Sequence, residues 1–367
     1  MSELSLREFK PKSLLRVPEH LPDRARYPVV DAHNHLFGDR PAAEMLAAMD
    51  AAGVAVFLNV TGNVSLPFDE TGYSIRRREL SFYLDGYVRP HPRRFACFTM
   101  SEFARWDDFA LFKTQENPSA DPRRWVDLCI QRLEADARAG ALGLKITKEL
   151  GLRFRDNDGA MIPVDDERLF PVWRRAGELG LPVLIHTSDP VGFFLPIDAA
   201  NEHYLTLTDA PGWSFLDSPF DKMELLAQRG RLISAHPRTR FQCAHVANLP
   251  EDLAWVARFL DAHPNAVVDF SARMDELGRQ PFTARDFFVR YQDRILFGTD
   301  MPCDPAVYRC YFRFLETRDE YFEYPDYVGR WGHSRWRIYG LGLPDRVLKK
   351  VYYQNALRHI PGLEVRP

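Results

Sequence analysis

PVVDAHNH, residues 28–35, joins a short apolar run to two histidines spaced two apart. Continuous apolar runs, rather than strict alternation, mark parallel strands buried on both faces. At the end of such a strand, residues two apart project the same way, so His33 and His35 can converge on one ion. Two histidines in a strand-to-loop turn can equally be polar loop residues, and the pair alone does not choose. What chooses is whether the pattern recurs.

It recurs seven times. After the run at 29–31 come apolar runs at 54–60, 95–100, 141–146, 182–186, 241–244, 266–270 and 295–298. Segments of helical period lie between them, among them 41–52, 124–139, 167–179, 222–229, 251–262 and 284–291, with proline or acidic residues near several starts. Eight strands alternating with helices predict an α/β chain closed into a (β/α)8 TIM-type barrel. Residues 1–27, polar and punctuated by proline, read as an N-terminal arm, 28–316 as the catalytic barrel, and 317–367 as a C-terminal extension. A helix over 345–359 is expected to pack that extension on the barrel. The loops after strands four and five, 147–165 and 187–220, are long enough to serve as lids or binding loops.

Bulk composition narrows the function. A chain of 367 residues suits one barrel with extensions better than two domains. Its 46% apolar and 27% charged content supplies both a core and a solvated surface, which argues against disorder. The net charge is −3, and Lys and Arg are scattered, so no electrostatic footprint for nucleic acid or an anionic membrane exists and a small-molecule substrate is the expected partner. Cys97, Cys129, Cys243, Cys303 and Cys310 form an odd set without a C-x-x-C pair, which fits reduced thiols in a cytoplasmic protein. No apolar run approaches the roughly 20 residues of a membrane span. The aromatic stretch 321–327 and the arm are candidates for a homodimer contact.

The strand ends carry the chemistry. Strand five closes as PVLIH at His186, strand six as QCAH at His245 and strand eight as ILFGTD at Asp300. Of 11 histidines, four stand at these ends, the rim on which barrels of this kind build their sites, and chance placement explains that poorly. Three imidazoles and a carboxylate with one open position suit Zn²⁺, with Mn²⁺ the alternative. Asp31 reads as a partner that orients a ligand rather than a ligand itself.

The order D-A-H-x-H, P-V-L-I-H, A-H and F-G-T-D resembles the amidohydrolase superfamily, specifically the amidohydrolase-related branch that includes aminocarboxymuconate-semialdehyde decarboxylase-like enzymes. The resemblance covers about residues 28–360. It implies that His33, His35, His186 and Asp300 bind the ion, and that His245 either joins them or acts in acid–base chemistry. Strand four ends GLKITK, and two-metal members of the superfamily carboxylate a lysine there to bridge two ions. Lys145 with His245 would complete that pattern; the other reading keeps one ion, with Lys145 contacting substrate and Lys148 adding positive charge to the pocket. One ion is the expectation.

A metal ion lowers the pKa of its bound water toward about 7, which makes hydrolysis of a C–O or C–N bond the leading expectation. Asp300 would then carry the proton from water to the leaving group, and His245 would polarise the carbonyl. The same ligands serve a second class, decarboxylation of a small carboxylic acid, in which a proton goes to carbon and CO₂ departs. A barrel that binds a metal or sugar acid without catalysis is a third. Strand seven ends VVDFSAR, which offers Arg273 for a substrate carboxylate, unless it pairs with Asp269 or Glu276 instead. No G-x-S-x-G elbow and no phosphate-cradling glycine loop occurs, so serine hydrolase chemistry and nucleotide cofactors are not expected.

Overall fold

All eight apolar runs are strands in the structure, a computed structural model that describes residues 4–9, 11–69, 72–105, 109–325 and 336–365. They are β1 (Val29–Asn34), β2 (Val54–Asn59), β3 (Phe95–Cys97), β4 (Leu144–Ile146), β5 (Val183–Ile185), β6 (Phe241–Cys243), β7 (Ala266–Asp269) and β8 (Ile295–Leu296). β1, β2 and β3 pair in parallel, as do β4 through β8 in sequence order. Two seams close the sheet on itself. Thr99 bridges Leu144 in parallel, and Ala32 N–H donates to Phe297 O at 2.9 Å. The result is the (β/α)8 barrel that alternating strands and helices require.

The connecting helices are α1 (Ala42–Ala52), α2 (Ser81–Tyr83, continuing as a π turn Leu84–Val88), α3 (Pro122–Ala139), α4 (Phe170–Glu178), α5 (Lys222–Ala235), α6 (Leu253–Ala262), α7 (Pro281–Arg290) and α8 (Pro305–Glu316). Aspartate starts several of them. Asp121, Asp221, Asp252 and Asp304 each accept a first-turn backbone N–H at 2.7–3.0 Å, and Pro122 and Pro305 occupy the position where a missing N–H costs nothing. α2 and α8 were not foreseen in the sequence, since aromatic residues dilute the period of both.

Two apolar layers result. The outer one fills the gap between strands and helices, with Trp125 and Trp173 wholly buried. The inner one lies inside the barrel, where Val30, Val56, Leu58, Phe98, Leu184 and Leu296 meet Ala356 and Ile360 of the C-terminal tail. That tail is helical from Asp345 to His359 with a π turn at Lys350–Gln354. It seals the amino end of the barrel as well as packing on the wall, because Arg240, just before β6, donates to His359 O at 3.3 Å. The carboxyl end is left open to a cavity.

The arm is more than a lead-in. Leu6, Arg7, Phe9 and Pro11 line the cavity mouth, and Arg7 is paired with Asp209 at 2.6 Å. Further along, His20 Nδ1 lies 2.6 Å from Asp319. Of the stretch 321–327 considered for a dimer contact, positions 326 and 327 lie outside the described residues. No described helix is long and apolar enough to cross a membrane.

Candidate metal centre

Four strand tips bring imidazoles and a carboxylate to the open end, and second groups fix three of the imidazoles. His33 is fully buried; its Nδ1 lies 3.0 Å from Asp269 Oδ2, which leaves Nε2 facing inward, 3.1 Å from Lys145 Nζ. His35 Nδ1 lies 2.9 Å from Thr61 Oγ1, whose own hydroxyl donates to Asn59, and its Nε2 is 3.3 Å from Asp300 Oδ1. His245 Nδ1 lies 2.8 Å from Ser271 O, and its Nε2 is 3.7 Å from Asp300 Oδ2. An outer nitrogen engaged by a protein acceptor turns the inner one toward an ion, as in ligating imidazoles, although at His33 that inner nitrogen meets Lys145 Nζ.

Donors that share an ion at about 2.0–2.2 Å lie roughly 3–3.5 Å from each other. The His35–Asp300 pair already has that spacing, and ligand atoms of His33, His245 and Asp300 all lie within 4.8 Å of one another. The donor set therefore fits a divalent cation. His186 stands apart from the compact group: its Nε2 lies 3.1 Å from Ser188 O and 3.4 Å from Asp189 Oδ1, with its ring 4.5 Å from that of His245.

Two expectations about supporting residues change. Asp31 orients no imidazole; it accepts from Asn34, Thr299 and Tyr308 and so ties β1 to the backbone just before Asp300. The orienting carboxylate is Asp269, weighed in the sequence only as a partner for Arg273. Its signal was present, since it sits at the end of β7 two residues before Ser271. Gly298 is required at the β8 tip, because a Cβ there would lie 2.8 Å from the Cβ of His33.

Burial sets the protonation states. It pushes His186 down to about 3, and it holds His35 and His245 well below the usual imidazole range, helped by neighbouring cationic groups. These rings are neutral and competent as ligands. Burial also lowers Lys145 to about 8, against the pull of Asp300 and Asp269. It raises Asp300 above the usual carboxylate range, with His33 and Lys145 opposing. Asp269 goes the other way: His33 and the hydrogen bonds from Ser271 and Gln242 outweigh its burial and keep it ionised.

The rim is also where the backbone is strained. Asp300 and Ala272 have φ of 51° and 50°, and His245, Val246, Ala247 and Asn248 run consecutively at 53–56°. Left-handed backbone costs a residue with a Cβ roughly 1–2 kcal/mol, so four in a row persist only where their surroundings hold them. Asn248 closes this turn, its N–H donating to Ala244 O at 3.0 Å.

A cavity of about 580 Å³ opens above these residues. Phe193 and Trp213 of the long loop after β5 line it, along with Tyr311 and Trp336, whereas Phe194 packs on Phe215 within its own loop. Lys148 and Arg273 reach the cavity as expected, but neither is a bare cation. Lys148 is ion-paired with Asp189, and Arg273 Nη2 lies 3.8 Å from the same carboxylate, so neither Asp269 nor Glu276 forms its ion pair. Among the described residues Arg273 Nε has no hydrogen-bond partner.

The sequence profile named Amidohydrolase matches residues 117–361, more than half of the chain. The chain belongs to the amidohydrolase family. Solved structures of similar fold include an uncharacterized TIM-barrel protein of Bordetella bronchiseptica, 16% identical, covering 91% of this chain and 98% of that one at a TM-score of 0.53. A 2,6-dihydroxybenzoate decarboxylase from Rhizobium is 17% identical over 90% of this chain and 97% of its own, at 0.50. A dihydroxybenzoic acid decarboxylase from Polaromonas, solved with manganese and the inhibitor 2-nitroresorcinol, is 15% identical over 90% and 96%, also at 0.50. A search of curated proteins finds no match in sequence. The amidohydrolase described here is thus an enzyme of this family.

Proposed function

We propose that this amidohydrolase hydrolyses a C–O or C–N bond, as in a lactone, ester or amide, of a small anionic substrate with the help of one divalent ion. The observation that carries the proposal is the set of imidazoles whose outer nitrogens are engaged by the protein, with the inner nitrogens of His35 and His245 turned toward Asp300. His33, His35, His186 and Asp300 would hold the ion, Zn²⁺ foremost and Mn²⁺ the alternative. Such an ion supplies Lewis acidity and lowers the pKa of a water in the cavity toward about 7. Asp300, raised by burial, takes the proton of that water and later gives it to the leaving group. His245 stands across from it as the second acid–base group, and Arg273 with Lys148 hold the substrate's anionic end against the aromatic wall.

A second assignment of ligands is favoured by one contact. Because His245 Nδ1 is engaged with Ser271 O, its Nε2 is an acceptor, which suits a ligand or a base better than an oxyanion donor. In that assignment His245 replaces His186 on the ion. With one ion or two, Lys145 would have to leave His33 Nε2 for a metal to bind there, and two ions would need it carboxylated as well.

Decarboxylation is the alternative reaction. The same ligands and acid–base group serve it, and two of the similar folds bear the names of dihydroxybenzoate decarboxylases, one with manganese. Incubation of lactone, amide and aromatic acid panels in ¹⁸O-water separates the two. Incorporation of ¹⁸O into a product carboxylate supports hydrolysis. CO₂ release without ¹⁸O in the organic product would replace it with a carboxy-lyase.

A further inference from the structure

The left-handed turn at the β6 tip is gripped from α5 by two buried cations. Arg229 is wholly buried, pairs with no carboxylate among the described residues, and stacks over Phe259 at 4.7 Å. Its Nη1 donates to Ala247 O at 2.9 Å and to Asn248 Oδ1 at 3.2 Å. One helical face earlier, Lys222 Nζ donates to Asn248 O and to Asp189 O, both at 2.5 Å. Asn248 then reaches the β5 tip: its Nδ2 donates to Ser188 O at 2.6 Å, and its Oδ1 accepts from Thr187 N at 3.1 Å.

Two unpaired cations in a core are costly unless acceptors replace the lost water. Here the acceptors are carbonyls of the strained turn and of the adjacent loop. Carbonyls in a right-handed or extended segment would point elsewhere, so the cations and the turn depend on each other.

We propose that Lys222, Arg229 and Asn248 are positioning residues: a buried clamp that stabilises the left-handed turn 245–248, which carries the acid–base His245, and through Asn248 fixes the β5 tip so that His186 stands where an ion requires it. The clamp touches neither substrate nor ion. It rests on the metal reading above, and its test keeps the two separate.

The test is Co²⁺ binding to the full-length chain after chelation, read by visible absorption and by competition with a chelator, for wild type, Arg229→Met, Ala247→Gly and the double variant. Arg229→Met is expected to weaken Co²⁺ binding about 10- to 100-fold, the range for partners that orient ligands, and to alter the spectrum. Glycine adopts φ near 53° without strain, so Ala247→Gly alone should bind as wild type and should restore most of the lost affinity in the Arg229→Met background. A merely structural arginine would not be rescued by relieving the turn. Wild-type affinity and spectrum in Arg229→Met, or a double variant no better than Arg229→Met, would overturn the clamp. If Arg229→Met does not fold, Asn248→Ala, which cuts the bridge between the tips but leaves both cations on carbonyls, decides: an unchanged spectrum and affinity overturns it. Failure of the wild type to bind Co²⁺ would instead remove the metal reading, and the clamp's purpose with it.

Discussion

The β5 and β6 tips each end in a histidine, 4.5 Å apart ring to ring, yet they are held in different ways. His245 is fixed by its backbone, in a left-handed turn, with Nδ1 against Ser271 O. His186 follows ordinary backbone, and its ring rests on the loop beyond it, against Ser188 O and Asp189. A metal ligand can tolerate that freedom, because the ion itself supplies the restraint once bound. An acid–base group gains no such restraint and must be placed by the protein. The contrast favours His186 for the ion and His245 for proton transfer, although His245 also carries the engaged outer nitrogen of a ligating imidazole.

The largest expected effect comes from Asp300, whose Oδ2 lies 3.7 Å from His245 Nε2 at the β6 tip. Asp300→Asn should lower turnover about 10²- to 10⁴-fold in the assay that defines the reaction, with thermal stability retained; retained activity would end its proton-carrying role. The comparison itself is tested by metal content. His186→Ala should lose more affinity than the roughly 10–100-fold typical of an orienting partner, while His245→Ala keeps the ion and loses turnover. The opposite result would move His245 onto the ion and leave His186 with Asp189.

Smaller effects sharpen the contrast. Asp269→Asn removes the acceptor of His33 Nδ1 and should weaken metal binding by about 10–100-fold without abolishing it, measured by chelator competition. Loss of no more than twofold would mean that Ser271 alone orients the ring. The smallest expected change is with pH. Because burial lowers His35, His186 and His245 below the usual imidazole range, protons compete with the ion only at lower pH than for free imidazole. Affinity should therefore change little between pH 7 and 6, below the titration of Lys145 at about 8. Ligand imidazoles titrating near 6.5 would already cost affinity at pH 6, and approach a tenfold loss per unit for each ring below it.

Much of this was legible in the chain. Eight apolar runs gave eight strands, since a parallel strand buried on both faces needs little besides branched residues, and the ligand-type residues could be counted at their ends. α2 and α8 escaped notice because the aromatics Tyr83, Tyr308, Tyr311 and Phe312 serve neighbouring elements as well as their own helix. The roles of Asp269, Arg229 and Lys222 were hidden for a different reason. Each acts through a partner at least 18 residues away, on another strand or turn, and a pattern read along the chain carries no record of which buried charge meets which carbonyl. The neutralisation of Lys148 by Asp189 was invisible on the same ground.

The most direct measurement is diffraction from crystals soaked in Mn²⁺, with anomalous scattering used to locate the ion. A single peak per chain, bonded to His33, His35 and Asp300 with His186 swung off Asp189 to join them, is the result expected. No peak among these side chains at the barrel's open end would contradict the account at its centre.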